Sequence, residues 1–110
     1  MRRCRIVHPG GTSWSVFESN SNTPTQRVYN LPGSAAAGSI TVATGSLART
    51  ADGTSFVVKA DGVTKLTTGC INDGSQGCAI PANTIQITVD VVNGCLSGAG
   101  AAWTISGGGG

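Results

Sequence analysis

The cleanest pattern in the chain is a two-residue alternation over 84–91, where Ile85, Ile87, Val89 and Val91 fall on one face and Thr84, Gln86, Thr88 and Asp90 on the other. That period predicts a half-buried β-strand. Two further β-prone runs, 56–60 and 63–66, are separated by Asp61-Gly62. Asp-Gly accepts the positive φ angles of a type I′ turn, so the segment reads as a hairpin. Weaker strand candidates cover 13–18, 26–31, 39–43 and 102–106, each mixing β-branched or aromatic residues with Ser, Thr or Ala.

Turn signals punctuate the rest: Pro9-Gly10, Pro32-Gly33, Asp52-Gly53, Asp73-Gly74 and Asn93-Gly94. The one helix-like stretch, 34–38, is short and bracketed by Pro32 and glycines, and reads as loop. About seven short strands, with no helices between them for parallel crossovers, predict an all-β antiparallel sandwich or jelly roll. At 110 residues the chain is one domain. Residues 1–10 form an N-terminal arm or edge strand, and the glycines at 107–110 form a tail that is either a linker or a place where backbone packs closely.

Composition sharpens this picture. Only 11% of residues are charged, against roughly 25% in an average soluble domain, while Gly, Ser and Thr are abundant. The surface is therefore built from hydroxyls and bare backbone. The net charge of +2 owes much to Arg2, Arg3 and Arg5, too short a cluster for the basic stripe that phosphate binding needs, so nucleic acid is not an expected partner. No apolar run is long enough to insert in a membrane. Arg2-Arg3 is not followed by the apolar core of a signal peptide, so a secreted form implies a leader already removed or another export route.

The four cysteines show no C-x2-C or His/Cys spacing of a zinc site, which favours oxidised pairs and an extracellular or cell-surface setting. Cys70 and Cys78 flank a turn-rich loop, which makes Cys70 with Cys78 the preferred pair and leaves Cys4 for Cys95. Four cysteines allow three connectivities, and the other two stay open.

Catalytic groups are scarce. Glu18, Asp52, Asp61, Asp73 and Asp90 are the carboxylates and His8 the one imidazole. Three of the aspartates precede glycine, where the short side chain serves the turn, and His8 beside Pro9 has no nucleophile-elbow partner. No enzyme, cofactor or metal site is expected; a calcium loop at 72–76 lacks the acidic series and distal Glu. Trp14, Tyr29 and Trp103 are the aromatic platforms available to a sugar. Trp14 shares parity with Val16 and Trp103 with Ile105, which favours core positions. Tyr29 lies off the Val28 face, toward solvent. Tyr29 and Trp14 are kept as the candidate ligand-binding residues.

From Leu31 onward the order of features resembles the bacterial pre-peptidase C-terminal type of domain, a small sandwich appended to secreted enzymes. The residues that carry the resemblance are Leu31-Pro32-Gly33 before 39–42, the central hairpin, Ile80-Pro81-Ala82-Asn83 before the 85–91 run, and the closing stretch through Trp103 to Ser106. It spans 31–107, departs at Ser55 to Val58, where an acidic alternation is missing, and implies a non-catalytic accessory module with no functional residues to carry over.

Three functions follow in order. The first is a self-associating structural or attachment subunit of a filament, surface layer or virion, whose partners are copies of itself, because an uncharged surface packs with little desolvation. Lys59 and Lys65 are the residues a monomer would use to guard an edge. The second is an accessory carbohydrate-binding module with polysaccharide as partner, and a small enzyme comes last.

Overall fold

The computed structural model describes residues 11–21, 25–44, 53–71, 73–93, 95 and 102–110. They form eight strands and no helix: β1 (Trp14–Ser21), β2 (Thr25–Asn30), β3 (Gly38–Thr44), β4 (Thr54–Ala60), β5 (Val63–Thr67), β6 (Gly74–Ile80), β7 (Gln86–Asn93) and β8 (Ala102–Gly109). Two four-stranded antiparallel sheets run in the orders β1-β8-β3-β6 and β2-β7-β4-β5. This is a jelly-roll sandwich, in which every connection except β4 to β5 crosses from one sheet to the other. The expected all-β fold is therefore present, with one strand more than the sequence pattern predicts.

The exception is the predicted hairpin. Asp61 and Gly62 take φ of 49° and 82°, the left-handed pair that a type I′ turn requires. The Asp61 carboxylate also accepts the backbone N–H groups of Ile85 and Gln86, each at 3.0 Å. The turn residue thus fixes the entry to β7. The structure shifts from the alternation here: β7 begins at Gln86, and Ile85 lies between the 82–83 turn and the strand with 57% of its surface exposed. Ile87, Val89 and Val91 point inward as their period requires.

The core lies between the sheets. Trp103, Ile105, Ile40 and Val42 from one side meet Phe56, Val58, Ile87 and Val89 from the other, all fully buried. Phe56 and Trp103 meet edge to face, with ring centroids 6.5 Å apart at 80°. Both tryptophans are core residues, Trp14 at 8% exposure and with its indole N–H donated to the Ala36 carbonyl at 2.6 Å.

The missing strand is β6, whose sequence of glycines, Ser and Gln has little intrinsic β-propensity and reads as loop. It exists because β3 pairs with it along its whole length, from Gly38 opposite Ile80 to Thr44 opposite Gly74. The C-terminal glycines resolve the other way. Gly107, Gly108 and Gly109 are not a linker but the end of β8, paired with β1 on one side and β3 on the other. A Cβ on Gly107 would run into the backbone oxygen of Ser39, so only glycine lets these strands approach as they do.

The disulfide pairing differs from the expected one. Cys70 joins Cys95, with Cα atoms 6.2 Å apart, so neither the Cys70–Cys78 nor the Cys4–Cys95 pair forms. The reason is topological. Cys78 sits within β6, opposite Ile40, whereas Cys70 precedes Ile71, which bridges to Thr54 at the start of β4. Cys95 arrives at the same place, its N–H bonded to the Gly53 carbonyl at 3.0 Å. Cys4 and the predicted arm at 1–10 lie outside the described residues, as do His8 and Asp52.

Because the bridge closes a loop with a sequence separation of 25 residues, Cys70→Ser should cost about 3 to 4 kcal/mol on a chain-entropy account. Urea unfolding of the variant beside wild type checks this through the shift in midpoint.

Candidate interaction face

The predicted site residues are not brought together. Trp14 is buried against the 35–36 turn, and Tyr29 faces inward, half-buried against the core, while Val28 is the residue that points to solvent at 46% exposure. This reverses the parity expected for β2. Neither ring offers a free platform for a sugar. The cause is a polar cluster at the seam between β1 and β2, the edge strands of opposite sheets. Glu18 on β1 accepts the Tyr29 hydroxyl at 2.6 Å and stands 2.9 Å from Arg27 Nε, both on β2. The Arg27 guanidinium in turn lies 5.9 Å from the Trp103 ring centre, over its π face. Three amphipathic side chains can turn inward here because the seam is partly open, the Tyr29 hydroxyl is bonded and the Glu18 and Arg27 charges stand together.

Burial pushes the Tyr29 phenol above its ordinary range, and its bond to the Glu18 carboxylate raises it further. In the fold Tyr29 therefore holds its proton at pH values where the unfolded chain releases it. Two further carboxylates serve structure: Asp61 holds the hairpin, and Asp90 accepts the Gln26 amide at 2.7 Å. Among the described residues no three His, Cys, Asp or Glu side chains gather as a metal cluster would. Cys78, free and half-buried, has its thiol pushed up by burial, with Lys65 pulling slightly the other way. That makes it a poor nucleophile at neutral pH.

What the fold does assemble is a surface. The outward positions of the β1-β8-β3-β6 sheet lie in three transverse rows, set by the register of the four strands. One row is Ser15, Gly108, Ser39 and Ala79; the central row is Phe17, Ser106, Thr41 and Gly77; the third is Ser19, Thr104, Ala43 and Ser75. No position in these rows carries a charge or a side chain larger than threonine, except Phe17, which is 73% exposed. The opposite sheet differs: its outward side carries Lys59 and Asp90, and its β5 edge carries Lys65. The sequence signal for Phe17 is the parity that places Trp14 and Val16 inward.

Searches against family models and curated proteins find no match. Among solved structures the chain is similar to the C-terminal domain of EclA, a sugar-binding protein, at 13% identity and TM-score 0.47, covering 93% of this chain and 79% of that one. It is also similar to a chain from Bacillus endospore appendages, described as a novel family of disulfide-linked pili, at 12% identity and TM-score 0.46, covering 98% and 95%. Both likenesses are distant.

The seam predicts an alkaline limit to stability. Since the folded Tyr29 holds its proton more tightly than the unfolded chain, its contribution is fully present below about pH 10, the ordinary tyrosine value, and is lost as pH rises beyond it. Thermal melts from pH 8 to 11 should show a decline above pH 10 that Tyr29→Phe makes shallower. An equal decline in both proteins would place the alkaline transition elsewhere.

Proposed function

We propose that this protein is a non-catalytic structural subunit of an extracellular assembly and that it associates with copies of itself. The observation that carries the reading is the uncharged outward side of the β1-β8-β3-β6 sheet, with a bare phenyl ring on it. Packing such a face against protein buries hydroxyls that can bond across the contact and strips water from no ion, so the desolvation cost that normally opposes association is small. The β6 edge of that sheet supports the same reading. β6 exposes Gly74, Ser75, Gln76 and Gly77 without a lysine, proline or inward charge, the devices by which a monomer blunts an edge. Lys65, the guard expected from the sequence, stands on β5 in the other sheet, and Lys59 is on β4, an interior strand.

The Cys70–Cys95 bridge supports an oxidising compartment, where such bonds persist. Glu18, Asp61 and Asp90 are engaged in the seam, the turn and the β2–β7 contact, so among the described residues no two carboxylates stand together and uncommitted for acid–base work.

Light scattering and electron microscopy on the purified, oxidised protein test the proposal. Species much larger than the 10.9 kDa chain, growing with protein concentration, are expected. A monomer at every concentration up to the millimolar range would remove self-association as the function.

A further inference from the structure

The register of the uncharged sheet shows more than a face without charge. Its central row runs from Phe17 on the β1 edge, through Ser106 and Thr41, to Gly77 on the β6 edge. The largest outward side chain and the absence of one therefore stand at opposite ends of the same row. The flanking rows are even, with Ser15 matched by Ala79 and Ser19 by Ser75. A two-fold axis parallel to the strands, placed above the boundary between β8 and β3, turns the sheet over onto a second copy. The same rotation carries β1 above β6 and keeps each row in line with itself. Phe17 of each copy then lies over Gly77 of the other, and Ser106 over Thr41.

We propose that a second copy of this chain packs face to face on the β1-β8-β3-β6 sheet, each Phe17 ring seated on the partner's Gly77. The inference rests on the self-association reading and specifies its contact. Two observations select a second copy as the occupant. The contact is isologous, so one knob and one hollow per chain satisfy both sides, as a two-fold interface demands. The three rows hold no charge, so two identical copies meet without repulsion, and a charged partner would gain nothing from them. Four strands about 4.8 Å apart and roughly 23 Å long give a footprint of roughly 450 Å² per copy, about 900 Å² in all. That falls below the roughly 1,200 Å² at which stable pairs begin, so the pair is expected to be weak and to form with rising concentration.

The geometry makes Gly77 more than a spacer. A Cβ there would already stand 3.1 Å from the Ile40 carbonyl and 3.3 Å from Thr41 Oγ1, and would fill the hollow that receives the ring.

The test is a cross-link that leaves the ring and the hollow in place. Ser15 and Ala79 end a flanking row and are three strand spacings apart in one chain, about 14 Å, whereas across the proposed pair they face each other at the roughly 10 Å between packed sheets. With Cys4 and Cys78 replaced by serine, the double variant Ser15→Cys, Ala79→Cys should form a covalent dimer with a thiol-to-thiol cross-linker that reaches the shorter distance, seen on a denaturing gel, whereas either single variant should stay uncross-linked. Alongside it, Phe17→Ser and Thr41→Lys, both confirmed folded by thermal melt, should weaken association at least tenfold in sedimentation. If wild type associates but these variants associate equally and the double variant does not cross-link, the face-to-face contact is wrong while self-association stands. A wild type that stays monomeric removes both.

Discussion

Everything in this small sandwich depends on β8 running through the middle of its sheet. Its first half supplies Trp103 and Ile105 to the core, and Trp103 reaches across to Phe56 on the other sheet. Its second half is glycine, and lies so close to β1 and β3 that no side chain fits. Bulk at one end and emptiness at the other are one constraint: the strand must fill the interior where the sheets are apart and vanish where its neighbours crowd it. With two tryptophans and a single T-shaped aromatic pair, the core has little redundancy. The disulfide reinforces the end where Cys70 and Cys95 meet the start of β4.

Much of this was legible. The Asp61-Gly62 hairpin, the inward set Ile87, Val89 and Val91, and the core placement of both tryptophans follow from turn chemistry and parity, which local sequence encodes. The failures share a cause. β6 is a strand because β3 pairs with it, not because of its own residues. In β2 the rule that the β-branched residue faces inward gave way, since Tyr29 finds a hydrogen-bond acceptor and Arg27 an opposite charge in Glu18 on another strand. The cysteine pairing also turned on where the β5–β6 connection lands, which no spacing reveals. In each case the deciding partner is distant in the chain, and single-sequence reasoning has no view of it.

The candidate site was the least legible part. The aromatics that composition offers as ligand platforms, Tyr29 and Trp14, are used internally by the fold. The exposed ring is Phe17, and its setting among serines, threonines and glycines emerges only when four strands are laid side by side. Low charge was visible in the composition; its concentration on one sheet was not. Among the described residues Glu18 and Arg27 stand at the seam and Lys59, Lys65, Asp61 and Asp90 belong to the opposite sheet and its hairpin, which leaves the three rows of the other sheet uncharged.

The central claim is that this side is covered in the assembled protein and the other is not. Hydroxyl-radical footprinting of the protein at low and high concentration measures it directly, because side-chain oxidation reports exposure residue by residue. The account predicts that Phe17, 73% exposed in the single chain, becomes protected as the protein assembles, while Val63 and Val92 at 57% and 50% keep their reactivity. Protection of Val63 and Val92 with Phe17 still reactive would contradict it.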